Sequence, residues 1–143
     1  MASCYFGYGV NLGKLKSEKL NWMNLLSIDE FYFNDYKEYL EDNEIEDENM
    51  EGIFFDWVSN LEIGGYSGLS ALVANIINEK EGLDLKCDDY GYGTVYYPQV
   101  FPWEKSERMR NITKDELDAI FRKYIGLLTD EPINIEVVMM WEE

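Results

Sequence analysis

The sequence predicts a single α+β domain spanning residues 1–143, with about four strands in a largely antiparallel sheet packed against about four helices. Three observations carry this. Period-two apolar alternation marks both ends of the sequence, stretches of helical spacing lie between them, and the two kinds do not alternate strictly as a doubly wound sheet requires.

Taken in order, Cys4, Phe6, Tyr8, Val10 and Leu12 alternate with Tyr5, Gly7, Gly9 and Asn11, a strand with one apolar face. Its glycines weaken it but let another backbone or a bulky ring approach closely. Leu15 to Leu26 reads as a helix through Leu20, Met23 and Leu26, with Lys14, Lys16 and Lys19 as a small basic exception. Ser27 and Glu30 have capping-box spacing, and Leu26 and Phe31 that of a hydrophobic staple, so a second helix is expected from Ile28. Phe33, Tyr36 and Leu40 fall on one side of it and Asp35, Glu38 and Asp42 on the other.

Ile53 to Leu61 forms a compact apolar patch, expected as a short helix ended by Gly64 and Gly65. A further helix is expected from Gly68 to Lys80, with Ser67 as N-cap and Gly82 as its stop. Leu83, Leu85 and Cys87 alternate with acids and a lysine, Asp88 to Gly93 is rich in turn residues, and Thr94 to Tyr97 favours a strand, together a hairpin. Pro98 and Pro102 bound an extended surface loop. Thr113 and Glu116 form a second capping box for a helix running to about Thr129, and a final strand is expected from Ile133 to Trp141.

With 46% apolar and 29% charged residues the chain has the composition of a folded protein, despite a net charge of -17. Cys4 and Cys87 are far apart without a C-x-x-C spacing, which suits reduced thiols in the cytoplasm. No basic leader and no run of eighteen apolar residues is present, so neither secretion nor membrane spanning is expected. The charge disfavours direct contact with nucleic acid or anionic membranes and favours a basic partner.

The sequence contains no histidine, which removes histidine-based nucleophilic catalysis and histidine metal ligation together. Gly65-Tyr66-Ser67-Gly68 lacks the second glycine of a nucleophile elbow, since Leu69 stands there. Asp47, Asn49, Glu51 and Gly52 match the opening of a calcium loop, but Val58 occupies the place of its bidentate glutamate. A non-enzymatic protein without cofactor or metal is therefore expected.

The charge is segregated. From Asp29 to Glu62 thirteen acidic residues face Lys37 alone, a net of -12 out of -17, while Lys105 to Lys123 contains a basic segment. Carboxylates three or four residues apart on a helix lie about 5–6 Å apart, close to the spacing of phosphates along a nucleic-acid strand. The expected partner-binding residues are Asp35, Glu38, Glu41, Asp42, Glu46, Asp47 and Glu48, supported by the aromatics Tyr96, Tyr97 and Trp103 near the proline-bounded loop.

The segment from Tyr96 to Val137, Y-Y-P-Q-V-F-P-W through I-N-I-E-V, resembles the tails of small acidic proteins from phages and mobile elements of low-GC Gram-positive bacteria. Such proteins include inhibitors of host defence of the anti-CRISPR and anti-restriction type. The resemblance implies an inhibitor whose acidic face blocks the basic nucleic-acid-binding cleft of a defence nuclease in the host cytoplasm. The alternative is an immunity or adaptor protein that binds a basic toxin or enzyme without nucleic-acid mimicry.

Overall fold

The computed structural model describes residues 3–15, 20–43, 50–63, 65–88 and 93–142. In chain order these form β1 (Ser3–Asn11), a 3-10 turn (Leu12–Lys14), α1 (Trp22–Leu26), α2 (Glu30–Asp42), α3 (Met50–Ser59), α4 (Leu69–Glu81), β2 (Lys86–Asp88), β3 (Thr94–Pro98), a second 3-10 turn (Pro102–Glu104), α5 (Glu107–Asn111), α6 (Lys114–Leu128) and β4 (Glu136–Glu142). The strands make one antiparallel sheet in the order β2-β3-β1-β4, so the architecture is α+β as expected.

Directly paired residues share a sheet face. Val10 pairs with Val95, Tyr8 with Tyr97 and Val137, and Phe6 with Met139, which fixes one face. Val10 and Val95 join the main core there, with Leu12, Leu72, Ile76, Phe121 and Leu128. On the other face Gly9 pairs with Tyr96 and Gly7 with Val138, and Tyr96 and Val138 form a small buried cluster of their own. The glycines have the close-approach role expected of them. A methyl group on Gly7 would collide with the Tyr96 ring, and one on Gly9 with the Val95 carbonyl oxygen.

The second face of β4 departs from expectation. The strand begins at Glu136, after Ile133 and Ile135, and Val138 is buried while Val137 and Met139 are 68% and 55% exposed. Val137 to Met140 is apolar on both parities, so alternation cannot select the inward face.

The helices hold together through aromatic contacts. Trp22 of α1 stacks on Phe54 of α3 at 5.0 Å, and Tyr36 of α2 meets Trp57 of α3 at the same separation. Among the described residues the expected helix from Leu15 to Leu26 is reduced to α1, with Lys16 and Lys19 outside them. Ser27 does not cap α2. Its hydroxyl donates to the Asn24 carbonyl at the end of α1, and the buried Asp29 caps α2 by accepting from the Tyr32 amide. Ser67 is likewise not the cap of α4. Gly68 occupies that position with φ of 95°, a backbone shape open to glycine, and Gly82 ends the helix in the left-handed region as expected. Thr113 caps α6 by accepting from the Glu116 amide. The proline-bounded stretch leads into α5, a turn of helix that the composition of Lys105 to Arg110 had not marked. No helix among the described residues is long and apolar enough to cross a membrane.

Candidate partner-binding surface

The packing of α2 decides which of its acids can meet a partner. Tyr32 and Tyr36 face inward, so Glu30, Glu38, Glu41 and Asp42 are exposed. Asp35 is only half exposed and accepts a hydrogen bond of 2.9 Å from the Trp57 indole nitrogen. It joins α2 to α3 and is a structural residue more than a contact residue. Glu46, Asp47 and Glu48 lie outside the described residues, as do Asn49 of the calcium-loop comparison and residues 89–92 of the expected hairpin turn.

Charge compensation differs between the two halves of the molecule. Five described ion pairs join Lys14 to Glu136, Lys86 to Asp84, Arg108 to Glu116, Lys114 to Asp118 and Lys123 to Glu81. None of these involves an acid of α2, whose single lysine, Lys37, sits over the Phe33 ring instead. Glu38, Glu41 and Asp42 also stand at the end of α2 where the helix dipole is negative, and no basic residue lies in that last turn. Carboxylates spaced three and four apart at such an end repel each other and the dipole.

The three aromatic candidates separate. Tyr96 is 5% exposed, because β3 is an interior strand and Gly7 and Gly9 let its ring lie flat on the sheet. It is core, and its expected surface role is corrected. Tyr97 is half-buried, with its hydroxyl donating to the Met109 carbonyl at 2.6 Å. Trp103 is 76% exposed and stacks face to face on Phe101, with ring centres 4.6 Å apart.

A second feature was not legible beforehand. Where the first sheet face runs past the helices, Phe6, Tyr8, Tyr97, Gln99, Lys105 and Val137 line a groove of about 400 Å³. The Tyr8 hydroxyl donates to Asp118 at 2.7 Å, and Lys114 binds the other oxygen of that carboxylate at 3.1 Å. Burial first, and the bond to Asp118 second, raise the Tyr8 hydroxyl above its ordinary pKa, while the bond from Tyr8 chiefly holds Asp118 below its own. The groove depends on the register of three strands far apart in sequence, so no local pattern could have shown it.

In comparisons with known proteins, no family model matches the chain, and no curated protein or solved structure is significantly similar to it.

Proposed function

We propose that this protein is a non-catalytic inhibitor of the anti-CRISPR or anti-restriction type, which presents the acidic face of α2 to the basic nucleic-acid-binding cleft of a defence nuclease. The observation that carries the reading is the uncompensated carboxylate group Glu38, Glu41 and Asp42, exposed at the negative end of its helix, while the acids in the five described ion pairs all lie outside α2. That arrangement opposes helix stability, and a basic cleft would relieve it on binding. Clustered charge of this kind acts mainly on encounter rate and is strongest at low salt.

The test uses a triple variant, Glu38→Gln, Glu41→Gln and Asp42→Asn. It should be more stable than the parent by about 0.5–1.5 kcal/mol, since helix-end and like-charge repulsion are removed. Its affinity for a nuclease captured from a bacterial lysate should fall at least tenfold, about 1.4 kcal/mol, with a flatter salt dependence. Equal binding by a stabilised variant would reduce the stripe to a solvated surface. The exposed Phe101–Trp103 stack favours the second reading, an immunity or adaptor protein for a basic toxin or enzyme. Competition separates the two: under mimicry, saturating the nuclease with this protein abolishes its nucleic-acid binding, and under the second reading it does not.

A further inference from the structure

One charged side chain lines the groove between β3, β1 and β4. Lys105 lines it, with its ammonium 4.6 Å from the centre of the Tyr97 ring. Among the described residues no carboxylate pairs with Lys105, unlike Lys14, Lys86, Lys114, Lys123 and Arg108; Lys37, Lys80, Arg110 and Arg122 share that state, but Lys105 is the one of them that lines the groove. The tyrosine hydroxyls are already engaged, Tyr8 with Asp118 and Tyr97 with the Met109 carbonyl, so these residues offer ring surface and not hydroxyls to an occupant. Phe6 and Val137 add exposed apolar walls, at 46% and 68%. The lining therefore requires an occupant that is apolar in body and anionic at one point. A volume of about 400 Å³ lies at the small end of ligand pockets and takes one large side chain with its terminal group, not a chain passing through.

Apolar surface continues beyond the groove, to Met139 on one side and to Val100, Phe101 and Trp103 on the other. A small molecule filling the groove would leave this surface uncovered, whereas a polypeptide entering by its end would cover part of it. The geometry points to capture of a partner protein's C-terminus, with a large apolar last residue seated among Phe6, Tyr8, Tyr97 and Val137 and its free carboxylate on Lys105. Recognition of a terminal carboxylate is a recurring mode of peptide binding. The net charge of -17 does not oppose it, because a single terminal carboxylate is compatible with a partner that is basic overall. This inference is independent of the reading of α2 and stands or falls on a different surface.

The experiment titrates the whole protein, by amide NMR, with an acetylated glycine-serine pentapeptide ending in tryptophan, with its C-terminal amide, and with N-acetyl-tryptophan. The acid form should bind at least tenfold more tightly than the amide and move the resonances of Gly7, Gln99 and Val137. Lys105→Gln should abolish the difference between acid and amide, and Lys105→Arg should retain it, both with an otherwise unchanged spectrum. Equal binding of acid and amide, shifts confined to other surfaces, or no binding at millimolar peptide would overturn the proposal. N-acetyl-tryptophan binding as tightly as the pentapeptide would overturn it too, since the occupant would then be a small molecule.

Discussion

Adding one methyl group at Gly9 should damage this fold far more than strand propensity suggests. Gly9 has ordinary extended backbone, and at an open strand position alanine would be at least as good. Here the new carbon would collide with the Val95 carbonyl oxygen and stand 2.6 Å from the Tyr96 Cα and 2.9 Å from the Tyr96 Cβ. Two of these three atoms are backbone of the paired strand, which must retreat by about 1 Å for normal contact. Overpacking of this kind costs about 1–3 kcal/mol, and each β1–β3 hydrogen bond stretched by the retreat adds about 1 kcal/mol. A loss of about 3–5 kcal/mol is expected, which lowers Tm by roughly 10–15 °C in a domain of this size. Gly126→Ala is the control, because that glycine is exposed in α6 with nothing within 4 Å of an added carbon. It should gain about 0.5–1 kcal/mol from helix propensity. Calorimetry and urea titration of both variants decide the matter. A Gly9→Ala protein that melts within about 3 °C of the parent would refute the β1–β3 register and the placing of Tyr96 against it.

Asp35→Ala should cost about 1–3 kcal/mol in urea titration by orphaning the Trp57 indole, whereas Glu38→Ala should stay within about 0.5 kcal/mol. Asp29→Ala should cost about 1 kcal/mol or more through loss of the α2 cap, and Ser27→Ala should be close to neutral. Tyr32 and Tyr124 should ionise late in an absorbance titration, because burial, reinforced for Tyr124 by the bond to Glu81, pushes both up to about 12. Since their folded values lie above the ordinary 10, the stability they contribute is complete below about pH 10 and is lost as pH rises towards 12. Phenylalanine at both positions should reduce the late component of the titration by two tyrosines.

Local chemistry explains which parts of this fold were legible. The Thr113 cap, the α6 stripe and Gly82 at the end of α4 each depend on a few adjacent residues, and each is where the sequence places it. The sheet class followed from alternation, and the hairpin of β2 and β3 from the turn residues between them. Ser27 misled because serine, glutamate and a staple pair at the right spacing describe several registers, and the next acid, Asp29, sits lower on the same turn and is buried. Tyr96 misled because the room for its ring is made by Gly7 and Gly9, nearly ninety positions earlier. The acidic span could be read directly, but Asp35 could not be removed from it without knowing that Trp57 packs behind α2.

The strand order also imposes a timetable on biosynthesis. β1 has β3 on one side and β4 on the other, and of these three β4 is synthesised last. Until residues 136–142 are available, one hydrogen-bonding edge of β1 has no native neighbour, while β3 can already be docked on its other side. An unpaired edge with Phe6 exposed beside it invites pairing with another nascent chain. Pairing between such distant segments also raises contact order and slows folding. Expression level should therefore be governed less by final stability than by how long nascent chains wait in this half-built state, and slower folding of β4 should appear first as aggregation on crowded polysomes.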